Sequence, residues 1–124
     1  MKYLEYKGYT GSIEYSPEDN LLYGKVLGIN GLISFEGQTG ADLENDFHQA
    51  VDAYLEDCKS NGVEPERPFK GSFNVRISPS LHQKAALLAK EAKVSLNNFI
   101  AEAIRLRVQK SWRNFDFPEK KKVL

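Results

Sequence analysis

Within residues 72–108 the spacing of apolar residues changes period at a single point, and that change limits the fold more than any other feature of the chain. Phe73, Val75 and Ile77 alternate with Ser72, Asn74 and Arg76, the period of two expected of a strand with one apolar and one polar face. Ser78-Pro79 then offers a helix N-cap with proline at the first helical position, and Leu81, Ala85, Leu88 and Ala92 follow at helical spacing. A helix from Pro79 to about Ala92 is predicted. After a break at Lys93-Val94 comes a second cap, Ser95, and then Leu96, Phe99, Ile100, Ala103, Ile104 and Val108 on one stripe of a second helix.

A strand, a helix, a tight turn and a helix hold too little apolar surface to be stable as a monomer. The economical solution is a twofold dimer in which two Phe73–Ile77 strands pair antiparallel and four helices close over their apolar face. This is a ribbon-helix-helix arrangement, with a dimer core of Phe73, Val75, Ile77, Leu88, Phe99, Ile100 and Ile104. The other face of the ribbon presents Ser72, Asn74 and Arg76 twice, and a two-stranded ribbon fits the major groove of DNA. Arginine can pair bidentately with guanine and asparagine with adenine, so Ser72, Asn74 and Arg76 are expected to contact bases. The backbone N–H groups of Leu96, Asn97 and Asn98 behind the Ser95 cap suit a DNA phosphate, where the helix dipole also favours an anion. Lys70 and Lys93 would add positive charge to the same backbone contact.

The formal net charge is zero, but it is the sum of two opposed halves. Residues 1–68 carry five basic against thirteen acidic side chains, a net of −8, and residues 69–124 carry twelve against four, a net of +8. A basic half fits a polyanion, and an acidic half repels nucleic acid or meets a basic partner.

The acidic half begins with short runs rich in Tyr, Ile, Val and Leu: residues 2–7, 11–16, 22–28 and 32–36. Gly8, the segment Ser16-Pro17-Glu18-Asp19-Asn20 and the segment Gly28-Ile29-Asn30-Gly31 separate them. An antiparallel meander is predicted. From Ala41 to Lys59, the residues Leu43, Phe47, Ala50, Val51, Tyr54, Leu55 and Cys58 form one helical stripe, with Thr39 as cap and Gly62 as stop. The overall expectation is an α+β chain. A small antiparallel sheet with one helix occupies residues 1–62, a proline-containing linker 63–69, the dimerising ribbon-helix-helix 70–110 and a tail 111–124.

The single cysteine, Cys58, excludes an intrachain disulfide framework and a multi-cysteine metal site, and it continues an apolar stripe. With no run approaching the ~18 apolar residues of a membrane span, a cytoplasmic protein that does not engage membranes is expected.

The stretch from Phe73 through Ile77-Ser78-Pro79-Ser80-Leu81-His82 to Ser95-Leu96-Asn97-Asn98-Phe99-Ile100 resembles the ribbon-helix-helix part of the HicB antitoxins. Upstream, Tyr9–Ser16, Gly24–Ile29, Ile33–Gly37 and the helix around Ala50–Leu55 resemble that family's N-terminal domain. The resemblance covers roughly residues 3–108. It implies an N-terminal domain with a partial ribonuclease-H-like fold that masks a HicA-like toxin, a small basic mRNA-cleaving ribonuclease. It also implies a C-terminal domain that represses its own operon by binding operator DNA. One departure is Lys93, which stands where such modules often place a glycine. The tail, with Trp112, Phe115, Phe117, Lys120, Lys121 and Lys122, carries no recognised motif.

Two rival readings remain. One is a free-standing ribbon-helix-helix repressor whose N-terminal domain senses a ligand or oligomerises. The other is a ribonuclease-H-like nuclease, which would need carboxylates gathered for metal ions. Glu14, Asp19 and Glu36 lie on or near strands, but most acids fall on the polar side of the 41–59 helix, and His48 and His82 have no Cys or Asp constellation beside them. No catalytic residue, metal site or cofactor is expected. The expected partners are operator DNA, a HicA-like toxin, and a second copy of the chain in a homodimer or a higher oligomer built on it.

Overall fold

A computed structural model describes residues 2–112. They fall into two compact units, one spanning Lys2–Ser72 and the other beginning at Phe73.

The first unit is a meander covered on one face by a helix. Its strands are β1 (Leu4–Tyr6), β2 (Tyr9–Gly11), β3 (Glu14–Ser16), β4 (Leu21–Leu27) and β5 (Ser34–Gly37), followed by helix α1 (Gly40–Asn61). All pairings are antiparallel, and β4 is central, with β2 and β3 on one side and β5 on the other. Of the expected strand 11–16, Glu14–Ser16 form β3, while Gly11 ends β2, whose Tyr9 and Thr10 fell between the expected runs. Both keep one register against β4, with Gly11 opposite Val26 and Glu14 opposite Tyr23. The interruption at Ser12-Ile13 arises because the Ser12 hydroxyl accepts from the Lys25 N–H at 3.0 Å, inserting a side chain into the ladder. Gly24 makes the close crossing there possible, since a Cβ on it would lie 2.0 Å from the Ser12 carbonyl oxygen. Between β1 and β2, Lys7 and Gly8 both have positive φ, 51° and 82°. That is the two-residue hairpin turn whose twist matches the flanking strands.

The expected helix 41–59 forms and runs slightly longer. Its N-cap Thr39 accepts from the Asp42 N–H at 3.1 Å. Gly62 closes it in the left-handed conformation, with its N–H and that of Val63 donating to the carbonyls of Lys59 and Cys58. The apolar stripe of α1 meets the sheet: Leu43, Phe47 and Val51 are buried together with Tyr9, Val26 and Phe35. The rings of Phe35 and Phe47 have centroids 4.9 Å apart, and Phe47 and Val51 are fully enclosed. Each such side chain contributes roughly 1.5–3 kcal/mol through removal from water. Cys58 is buried on the same stripe.

In the second unit, α2 (Pro79–Glu91) and α3 (Leu96–Trp112) form where the caps lie. The Ser78 hydroxyl accepts from the Leu81 N–H at 3.1 Å, and the Ser95 hydroxyl from the Asn98 N–H at 3.0 Å. Lys93 adopts the left-handed conformation (φ 60°), and the N–H groups of Lys93 and Val94 donate to the carbonyls of Lys90 and Ala89. The helix stop usually given to glycine is thus made by a lysine. Residues 72–78 pair with no strand among the described residues. Of the expected tail, Ser111 and Trp112 complete α3, while Phe115, Phe117, Lys120, Lys121 and Lys122 lie outside the described residues.

Candidate nucleic-acid and dimer interface

The second unit is short of a core. Among its described residues only Ala89 is buried, while Phe73, Val75 and Leu88 are 72%, 63% and 57% exposed. The apolar stripes of α2 and α3 nevertheless converge. Val75, Ile77, Leu81, Ala85, Phe99, Ile100, Ala103, Ile104, Arg107 and Val108 line one groove of about 430 Å³. Of the seven residues expected to form a dimer core, this groove gathers Val75, Ile77, Phe99, Ile100 and Ile104, whereas Phe73 and Leu88 lie outside it. Arg107 was not foreseen. Its position follows from spacing, since it continues the Ile100, Ala103, Ile104 stripe by one turn, and a long aliphatic stem can cover apolar surface with its charge in water.

Val75 and Ile77 turn toward the helices, and Ser72, Asn74 and Arg76 are exposed and take no part in the groove. Arg76 makes no hydrogen bond or ion pair among the described residues. Ser72 and Lys70 belong to the first unit, and Asn74 and Arg76 to the second. The expected phosphate contacts Lys93, Ser95, Leu96, Asn97 and Asn98 lie together on the α2–α3 turn and are exposed, except for half-buried Leu96. The Asn98 N–H is already taken by the Ser95 hydroxyl. The Leu96 and Asn97 N–H groups sit in the first turn, where no intrahelical acceptor exists.

The first unit carries its acidic side chains on its surface. A cleft of about 750 Å³ is lined by Ser16, Asp19, Leu21, Tyr23, Gly24, Ser34, Phe35, Glu36 and Asp46. It brings together Asp19 and Glu36, two of the three strand-associated acids, while Glu14 lies elsewhere. The Asp46 carboxylate accepts from the Glu36 N–H at 2.9 Å, capping the edge of β5. Near the end of β1, the Asp52 carboxylate accepts from the Lys7 ammonium at 2.8 Å and from the Tyr6 hydroxyl at 3.0 Å. The Lys7 hydrogen bond holds Asp52 below the usual carboxylate range and raises Lys7 in return. The Tyr6 ring stacks on His48 with centroids 4.0 Å apart. Among the described residues no three His, Cys, Asp or Glu side chains are grouped to hold a metal ion, and no helix is long and apolar enough to cross a membrane.

The segment expected as a linker, 63–69, is tied to the first unit, and nothing in its composition announced this. Glu66 is the centre of the attachment. Its carboxylate accepts from the N–H groups of Asn30 (2.7 Å) and Gly31 (2.9 Å), its own N–H donates to the Tyr54 hydroxyl (2.8 Å), and its carbonyl accepts from the Tyr9 hydroxyl (3.0 Å).

No curated protein and no solved structure matches the chain. Residues 54–104 match the model of the HicB family. That stretch runs from the last turns of α1 through Glu66 and α2 into α3, and over it, less than half of the chain, the protein is similar to the HicB family.

Proposed function

We propose that the chain is the antitoxin of a type II toxin-antitoxin system: its acidic first unit neutralises a HicA-like mRNA-cleaving toxin, and its second unit represses its own operon as a ribbon-helix-helix homodimer. The observation that carries this reading is the uncovered groove between the extended segment 75–77 and helices α2 and α3. An apolar face of this kind is unstable in water until something covers it. A second copy related by twofold symmetry covers it with the same residues and gives residues 73–77 the strand partner they lack. The pairing would bring Asn74 and Arg76 of two chains onto one exposed ribbon face, as major-groove reading requires. The family match supports the toxin-antitoxin role, and the net charge of −8 over residues 1–68 suits a basic partner.

The test is made with purified full-length chain and DNA from upstream of its own gene. A dimer by light scattering and a retarded complex on that DNA, lost on random DNA of equal length, are expected. Co-expression with a small basic ribonuclease encoded beside it should yield a stable complex without nuclease activity. A monomer at micromolar concentration would overturn the ribbon. A dimer that binds the operator but leaves the ribonuclease active would overturn the antitoxin assignment alone.

A further inference from the structure

We infer that residues 65–69 are a strap latched onto the first unit by Glu66, so that the free connection to the second unit is only Lys70-Gly71-Ser72, and opening the latch releases the whole stretch from Val63. The inference is independent of what either unit binds.

Four hydrogen bonds converge on Glu66, two through its carboxylate and one through each of its backbone groups, from three separate parts of the first unit: β2, the turn after β4, and α1. Three residues on, the strap is held again. The Phe69 N–H donates to the Gly28 carbonyl at 3.1 Å, and the Phe69 ring lies where a Cβ on Gly28 would sit, 2.7 Å from that position. Phe69 itself has φ 51°, and Gly71 has φ 91°, so the chain turns sharply as it leaves the attachment. A strap held only by packing would not need a carboxylate placed on two consecutive backbone N–H groups. Charge-assisted bonds of that kind are the stronger class, yet one proton or one competing cation can weaken them.

The consequence is one of reach. From the last residue fixed at α1, Val63, to Phe73 is ten residues, able to span about 35 Å when extended, whereas from Phe69 it is four residues and about 14 Å. Closing the latch therefore shortens the free connection from ten residues to four and raises the effective concentration of one unit near the other by about fourfold, as the −3/2 power of length requires. Lys70, the first residue beyond the Phe69 attachment, is also a trypsin site in that short connection, while the Arg67-Pro68 bond resists the enzyme.

The experiment compares the full chain with Glu66→Ala by amide hydrogen exchange and by limited trypsin digestion. Exchange at Phe69, which makes no bond to Glu66, is expected to rise about tenfold or more along with Asn30 and Gly31. Cleavage after Lys70 should accelerate in parallel, and protection at Phe47 and Val51 should be unchanged. If Asn30 and Gly31 alone lose protection, Glu66 merely caps its turn and the latch is refuted. If Phe47 and Val51 also lose protection, Glu66→Gln, which keeps the shape and removes the charge, decides by the same readout at Phe69.

Discussion

Three single positions, Lys93, Glu66 and Arg76, can each be tested by changing one side chain. Lys93 occupies a left-handed conformation that costs a non-glycine residue about 1–2 kcal/mol, partly offset by the greater chain entropy that glycine carries when unfolded. Lys93→Gly should therefore raise stability by about 0.5–1 kcal/mol and the thermal midpoint by a few degrees. A lower midpoint by calorimetry would show that the lysine makes a compensating contact. Glu66 is held below the usual carboxylate range by the Asn30 and Gly31 N–H groups and, less, by the Lys70 charge. Because its folded value is depressed, its contribution is present above the ordinary carboxylate pKa and is lost as pH falls through the depressed one. The Asn30 and Gly31 amide shifts should titrate together with an acid midpoint below the ordinary value, and two independent midpoints would contradict a shared carboxylate. Arg76 stands on the polar side of the alternation in residues 72–77 and is exposed. Arg76→Ala should cost about 1–3 kcal/mol of specific DNA affinity while leaving the association state unchanged, as measured by mobility shift and light scattering.

At the scale of elements, the helices were readable because their signals are local. Thr39, Ser78 and Ser95 each accept a hydrogen bond from a backbone N–H three residues on, and Gly62 ends α1 in the conformation glycine prefers. Ser95→Ala should cost about 1 kcal/mol of stability, seen as fraying in the exchange of the first-turn amides of α3. The strands were less readable: four were expected in the first unit and five form. The division of residues 9–16 into β2 and β3 depends on the Ser12 hydroxyl reaching Lys25 across the ladder, a long-range contact that alternation cannot encode. Gly24→Ala tests this crossing. Its Cβ would collide with backbone rather than with a flexible side chain, so destabilisation of about 3 kcal/mol or more is expected by denaturant titration.

For the whole molecule, the apolar groove of the second unit sets the behaviour. Ile100→Asp would place a charge on that face, and the expected result is dissociation of the proposed dimer with loss of helicity in residues 79–112, followed by light scattering and circular dichroism. A folded, dimeric variant would show that the groove is not the interface. The opposed charges of the two halves were a matter of counting and need no coordinates.

The order of residues was enough to place each helix to within a few residues, to mark its apolar face, and to show that the stretch 72–108 lacks the material for a core of its own. These follow from caps, periodicity and composition, all read within a few residues. Only the folded chain shows that β2 and β3 share one register on β4, that Lys93 takes the left-handed conformation, and that the 63–69 segment is fastened through Glu66. Each of these is fixed by hydrogen bonds between residues distant in sequence or by a backbone conformation, and neither leaves a periodic trace in the order of amino acids.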